Sequence, residues 1–210
     1  VIDPNLLAEE FGLDQTRYFL MREVPFGNDG DFSRRAMIHR MNGDLANDLG
    51  NLSQRVLSMI FKNCSGVMPA LPATAAPEDS ALLDAADAML GKVRAHMDVQ
   101  SFHEALRCIW EVVSDANKYV DTTAPWGLKK TDPARMGEVL AVLAETIRQA
   151  AILVQPVMPG SASKILDQLG VADGQRGFDM LAGAGRIAAG VEISKPEPVF
   201  PRFVEEDGEV

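Results

Sequence analysis

An unbroken helical periodicity between residues 99 and 120 constrains the fold of this chain more than any other feature. Apolar side chains recur there at alternating steps of three and four residues, which places them on one helix face: Val99, Phe102, Leu106, Ile109, Val113, Ala116 and Val120. Similar patterns predict helices over 34–63 and 80–97, from Asp132-Pro133 to about Val154, and around 161–169. Long helices with short connections predict an all-α fold, an antiparallel helical bundle.

Both ends of the chain depart from this pattern. Residues 1–33 contain two short helical patterns followed by a turn and an extended piece, so we expect a small α/β appendage that docks on something larger. Residues 171–210 are rich in glycine and then read ISKPEPVFPRF, which the prolines keep extended. We therefore predict three parts: the appendage at 1–33, the bundle at 34–170, and a tail at 171–210 packed on the bundle.

Composition limits the classes of function. The net charge of -10 argues against general affinity for nucleic acid, although residues 34–62 carry five basic and two acidic side chains. Such a local basic patch permits selective contacts. The chain has no apolar run long enough to suggest a membrane span, and its two cysteines and three histidines lack the spacing of a metal site.

The usual signatures of an active site are also missing from the sequence. The glycines of GAGRIAAG, residues 183–190, follow no predicted strand and precede no lysine with serine or threonine. No serine or cysteine stands in a nucleophile elbow. The sequence therefore does not predict an enzyme in this chain alone.

The stretch NGDLANDLGNLSQR, residues 42–55, predicts a helix with two different faces. Its core face consists of Leu45, Leu49 and Leu52, followed by Val56, whereas the other face carries Asn47, Asp48, Asn51 and Arg55. Asn51 and Arg55 are four residues apart, so their donors can reach a single object. The alternative is a solvated face on which Arg55 pairs with a nearby acid.

A second unusual stretch is NKYVDTTAPWGLKK, residues 117–130. Pro125 fixes the backbone just before Trp126, and a lysine pair that begins at Lys129 follows. We expect Trp110 in the core, but a rigid loop that presents the Trp126 indole suits stacking on an unpaired base. Together with the donors of Asn51 and Arg55, it would recognise an exposed base. The alternative is that Trp126 closes the end of the bundle as part of the core.

These motifs, followed by KPEPVFPRF, resemble the C-terminal region of methionyl-tRNA synthetases in their order and separations. Residues 1–33 are similar to the stem-contact unit that follows the KMSKS loop of that family, so the resemblance covers essentially the whole chain. It implies the anticodon-binding bundle of a class I synthetase. It also implies that Asn51, Arg55, Pro125 and Trp126 read the anticodon, with Trp126 stacked on the wobble cytosine of CAU. Asn47 and Lys129 are possible contacts by position alone.

The resemblance also implies partners. They are the anticodon stem-loop of tRNA(Met) and the N-terminal catalytic domain of the same protein. The whole protein would be a cytoplasmic methionine–tRNA ligase that uses ATP and Mg²⁺, with zinc in the connective insert that some members have. The HIGH and KMSKS elements and that insert are absent here, so we expect this chain to bind no cofactor and no metal. A monomer is expected because no appended dimerisation domain is seen.

Two other interpretations remain open from the sequence. In a related class I synthetase (isoleucyl, leucyl, valyl or cysteinyl), Trp126 would be buried and Asn51 would face inward. In a helical protein–protein interaction module, Trp126 would anchor a partner from within an exposed apolar patch. The position of these two side chains in the structure distinguishes the interpretations.

Overall fold

The computed structural model describes residues 3–28, 32–181, 183 and 185–204, and this part of the chain is a helical bundle without strands. The predicted all-α fold is thereby confirmed. The helices are α1 Pro4–Phe11, α2 Leu13–Glu23, α3 Arg34–Arg40, α4 Asn51–Asn63, α5 Pro77–Asp98, α6 Phe102–Thr123, α7 Pro125–Thr131, α8 Pro133–Val154 and α9 Pro159–Gln168. None of the helices in the described residues combines the length and apolar character needed to cross a membrane.

Helix α8 is the centre of the bundle. It is buried around almost its whole circumference from Met136 to Val154, and it packs against α4, α5, α6, α7 and α9. A helix that is buried on every side has to be apolar or to pair its polar groups. The buried Glu145 meets this requirement by accepting hydrogen bonds from Arg148, Gln149 and the backbone N–H of Ile187.

Two details of the helix prediction were wrong. The apolar pattern of residues 80–97 predicts an inward face of Leu83, Ala86, Leu90, Val93 and Met97. In α5 the fully buried apolar residues are instead Leu82, Ala86 and Met89, and Met97 is exposed, so the inward face is turned from the predicted one. Asp98, placed just before the next apolar pattern, predicts the N-cap of the following helix, but it ends α5 and α6 begins after Ser101. Packing against α6 and α8 decided the orientation of α5, because its own pattern offers apolar residues on a wide arc.

The N-terminal segment docks on the bundle through α1 and α2. Phe11, Tyr18 and Phe19 belong to the same buried core as the bundle helices, and the Arg17 guanidinium donates to the carbonyls of Pro156 and Val157. The strand that an α/β appendage requires is not found among the described residues of this segment. Residues 29–31, which fall in the predicted turn and extended piece, lie outside the described residues.

The tail follows the bundle surface in an extended conformation. Ile187, Ile193 and Phe200 are buried in the core, and the backbone at Glu197 exchanges two hydrogen bonds with the Gln168 side chain. Backbone hydrogen bonds of Val191 and Ile193 with Met68 and Gly66 add a single antiparallel bridge, so the tail is held in one position although it has no long helix among its described residues.

The predicted helix over 34–63 is continuous but changes character in the middle. Between α3 and α4, Met41–Gly50 forms a π-helix, which we call the π segment. The Asn51 N–H donates to the carbonyl of Ala46, five residues earlier, as a π-helical turn requires. This is the same stretch in which the sequence pattern crowds polar residues on one face.

Candidate nucleic-acid interface

The two faces predicted for residues 42–56 are present in the structure. Leu45, Leu49, Leu52 and Val56 are fully buried, whereas Asn47 and Asn51 are exposed. Arg55 lies one α-helical turn beyond Asn51 and keeps about a third of its side chain exposed. The apolar face fixes the rotation of α4 about its axis, so the amide and the guanidinium are held on the outer surface.

The Arg55 guanidinium connects α4 to the other candidate stretch. Its carbon Cζ lies 5.6 Å from the centre of the Trp126 ring, which is within range of a cation–π contact. Its Nη2 donates to the Asp121 carboxylate at 3.1 Å. Arg55 and Trp126, which are distant in sequence, therefore meet on one surface, and Asn51 lies one turn from Arg55 on that side.

Trp126 lies in the first turn of a short helix, not in the predicted loop. Ala124 adopts a left-handed conformation (φ 43°, ψ 59°) that ends α6, and Pro125 then starts α7. Pro125 itself is buried, so its contribution is to fix the direction of the backbone. The indole that follows is 53% exposed. Tryptophan is on average a largely buried residue, so an indole this exposed leaves apolar ring surface available to a partner.

A buried polar cluster supports the turn that presents Trp126. The Asp79 carboxylate accepts two hydrogen bonds from the Arg135 guanidinium (2.6 and 2.7 Å) and one from the Tyr119 hydroxyl (2.6 Å). Burial acts to raise the pKa of Asp79, but the hydrogen bonds from Arg135 and Tyr119 outweigh it and hold this pKa below its ordinary value. The Tyr119 carbonyl in turn accepts from the Thr123 hydroxyl at the end of α6. Sequence reasoning missed this cluster, since its members are far apart along the chain.

Charged residues of both signs lie around Arg55 and Trp126. Lys129 and Lys130 are exposed in α7, and Asp121 is 67% exposed beside Arg55. On the π segment, burial and then the negative charge of Asp44 raise the pKa of Asp48. Among the described residues, no group of three or more histidine, cysteine or carboxylate side chains is arranged to hold a metal ion.

The positions of Asn51 and Trp126 decide against one alternative. A related synthetase of the kind considered above would bury Trp126 and turn Asn51 inward, but both side chains are exposed. The interpretation as a protein–protein interaction module required an exposed apolar patch around Trp126. Besides Trp126, the exposed residues of α7 are Gly127, Lys129, Lys130 and Thr131, while Leu128 packs against the core. Helix α7 therefore contributes no exposed apolar side chain beside the tryptophan.

Comparisons with known proteins identify relatives over the whole chain. Residues 69–210 match the family described as the anticodon binding domain of methionyl tRNA ligase, and residues 1–57 match class I tRNA synthetases (M). Methionine–tRNA ligase of Brucella suis is 55% identical over 99% of this chain, and that of Mycobacterium tuberculosis is 50% identical over 97%. The aligned region is 40% and 39% of those relatives, so the chain spans about two fifths of their length.

Solved structures agree with this result. The apo form of Mycobacterium tuberculosis methionyl-tRNA synthetase matches with a TM-score of 0.94 and 49% identity, covering 98% of this chain and 42% of that one. The same enzyme bound by methionyl-adenylate matches with a TM-score of 0.92 and 50% identity, covering 96% and 40%.

Proposed function

This chain belongs to the family of anticodon-binding domains of methionyl-tRNA ligases, and on that premise we propose that its exposed Asn51, Arg55 and Trp126 bind the anticodon loop of tRNA(Met). We call these three residues the reading surface. The observation that supports the proposal best is the contact of the Arg55 guanidinium with a half-exposed indole, one turn from an exposed amide. This arrangement combines a stacking face and hydrogen-bond donors in one place.

The chemistry of the three side chains suits the wobble cytosine of the CAU anticodon. A base that leaves the loop stack can lie on the exposed part of the Trp126 indole, which is worth about 1–3 kcal/mol. The Asn51 amide and Arg55 guanidinium can then donate to the O2 and N3 acceptors of cytosine. Uracil carries an N–H at position 3, so it would set a donor against a donor and leave both without a partner. Asn47 and Lys129 would add contacts at the edge of the loop.

The proposal is tested by titrating the chain with stem-loops that differ only in the wobble base. We expect the CAU loop to bind more tightly than a UAU loop, and Trp126→Ala and Asn51→Ala each to weaken binding of the CAU loop by about 1–3 kcal/mol. Both side chains are exposed, so neither substitution should change the thermal unfolding of the bundle.

Two control variants match these substitutions. Phe178→Ala removes an exposed aromatic elsewhere on the surface, and Asn63→Ala removes an amide at the other end of α4. Both should bind the CAU loop as the unchanged chain does. Equal affinity of the unchanged chain for all anticodon loops would contradict the proposal.

We further propose that the whole protein is a cytoplasmic methionine–tRNA ligase. The similarity to such enzymes over essentially the whole chain supports this, while the chain itself spans only about two fifths of their length. On this proposal α1 and α2 connect the bundle to the catalytic domain. The expected monomer stays a prediction, which sedimentation of the chain would check.

A further inference from the structure

A cationic groove begins one helical turn from the reading surface. It runs between α3 and the π segment on one side and the tail on the other, and it encloses about 990 Å³. Arg35, His39 and Asn47 line one wall, and Arg202 lines the wall that the tail provides. None of the lining residues that the structure describes is acidic.

The groove and the reading surface belong to one row of side chains. Arg35, His39, Gly43 and Asn47 line the groove at intervals of four residues, and the same interval continues to the reading surface. Four residues overshoot one turn of an α-helix by about 40°. They fall short of one turn in the wider π-helix. The π segment therefore compensates for the drift and keeps the row on one side.

The tail wall of the groove is fixed by a specific pair of hydrogen bonds. The Asn42 amide donates to the Phe203 carbonyl at 2.7 Å and accepts from the Phe203 N–H at 2.9 Å. The Phe203 ring packs edge-on against Phe11, with 5.2 Å between the ring centres. These contacts hold the backbone of Phe203, so the adjacent Arg202 is placed opposite α3.

The two arginines of the groove, Arg35 and Arg202, differ from other arginines in this region. Arg40 and Arg55 are paired with Glu23 and Asp121. The side chains of Arg35 and Arg202 are exposed, and neither makes a hydrogen bond or an ion pair with any part of the chain that the structure describes. Unpaired guanidinium groups on a protein with a net charge of -10 leave their planar donors available to an anion, and they suit phosphate oxygens in particular.

We propose that this groove holds backbone phosphates of the RNA stem that carries the anticodon loop. The inference rests on the proposed function and extends it. His39 precedes Asn51 by twelve residues, which corresponds to at most about 18 Å of helix. A strand of a B-form duplex rises about 3.4 Å per nucleotide and an RNA strand in a stem rises less, so this distance spans about five nucleotides or more. The groove therefore binds the stem, and its contacts give affinity without reading the bases.

The test uses the 210-residue chain with the double substitution Arg35→Gln and Arg202→Gln. Loss of two phosphate contacts should weaken binding of the CAU stem-loop by about tenfold at 0.1 M salt, and should lower the slope of log affinity against log salt by about 1.4–1.8. The preference for CAU over UAU should stay unchanged. A stem shortened to two base pairs should bind the double variant and the unchanged chain equally.

The control is Lys92→Gln with Lys164→Gln, which removes the same charge from two exposed lysines outside the groove. Both double variants are also measured without residues 205–210, because four of those residues are acidic and follow the groove wall in sequence. The difference in affinity between the two double variants should be the same with and without residues 205–210.

Equal affinities and salt slopes of the groove variant and the control, with the CAU preference intact, would overturn the groove proposal alone. The groove would then be better explained as a face for another protein domain. Absence of a CAU preference in the unchanged chain would instead contradict the proposed function.

Discussion

Arg55 shows how an exposed side chain can be held in position without burial. The guanidinium is bracketed by the Asp121 carboxylate at 3.1 Å and the Trp126 ring at 5.6 Å, and two thirds of the Asp121 side chain stays in contact with water. An ion pair of this kind contributes at most about 1 kcal/mol to stability. The ion pair therefore matters for two other reasons. It fixes the position of the Arg55 guanidinium, and it places the negative charge of Asp121 beside a surface proposed to bind RNA.

Substitution Asp121→Asn tests this view of the ion pair. It keeps the shape of the side chain but removes a negative charge next to Arg55, so we expect tighter binding of every anticodon stem-loop by a few-fold at low salt. The free energy of unfolding should change by less than about 1 kcal/mol. The matched control is Asp115→Asn, which removes an exposed carboxylate paired with Lys118 on the same helix. Unchanged or weaker RNA binding by Asp121→Asn would contradict the expectation.

At the scale of the element, the π segment is the feature that the sequence pattern does not reveal. A π-helical hydrogen bond spans one more residue than an α-helical one, and in natural proteins such turns are found frequently at functional sites. Here it precedes Asn51 directly and keeps Leu45 and Leu49 in the core. Gly50 is essential to this arrangement, because a Cβ there would lie 2.8 Å from the Leu45 carbonyl oxygen and 3.2 Å from the Phe200 ring.

The two glycines of the π segment should therefore respond oppositely to alanine. Gly50→Ala forces a side chain against backbone and should lower the free energy of unfolding by about 1–3 kcal/mol. A Cβ at Gly43 meets nothing within 4 Å, so Gly43→Ala should raise this free energy by up to about 1 kcal/mol through helix propensity. Urea unfolding of the two variants measures both values. Equal effects in the same direction would show that the close approach at Gly50 is not the reason for the glycine.

At the scale of the whole molecule, two buried polar clusters join elements that are far apart in sequence. Asp79, Tyr119 and Arg135 connect the start of α5, the end of α6 and the start of α8. Glu145 and Arg148 of α8 bind the first part of the tail, where Arg148 donates to the Met180 carbonyl and Glu145 accepts from the Ile187 N–H. A buried charge that loses its partner costs several kcal/mol, so each cluster ties the stability of the bundle to one arrangement of its helices.

The Asp79 cluster predicts a pH dependence of stability. The pKa of Asp79 is lowered on folding, so its contribution is complete above the ordinary carboxyl range near pH 4 and is lost as the pH falls through the folded pKa. Asp79→Asn should destabilise the chain by about 2–4 kcal/mol at pH 7. The difference from the unchanged chain should shrink below about pH 4.

Thermal unfolding between pH 3 and pH 7 measures both effects. Glu78→Gln is the control, because Glu78 reaches the same Arg135 at 3.4 Å but is half exposed, and it should change stability by about 0.5 kcal/mol or less. A constant difference between Asp79→Asn and the unchanged chain across this pH range would contradict the assignment.

Sequence patterns sufficed where local periodicity dictates burial. The leucine face of residues 45–56 and the long amphipathic stretch that became α6 could be predicted, since each follows from the geometry of a single helix. Sequence patterns failed where contacts with other elements decide the local structure. The rotation of α5 depends on contacts with α8, and the π segment lies against Phe200, and neither neighbour is encoded next to the residues affected. The short helix α7 was missed although Pro125, at its first position, is a signal for the start of a helix.

By itself, the sequence determined the helical class and the inward leucines. The candidate readers Asn51, Arg55 and Trp126 came from their side-chain chemistry together with the resemblance to methionyl-tRNA synthetases, and their role stays a proposal. The helical class and the leucine face follow from the spacing of apolar residues along single helices, which is a local property. Only the tertiary structure decided that Arg55 meets Trp126, that Asp121 pairs with Arg55, and that Arg35 and Arg202 face each other across a groove. The physical reason is that packing of α8 and the tail against the bundle brings together residues that no pattern of the chain connects.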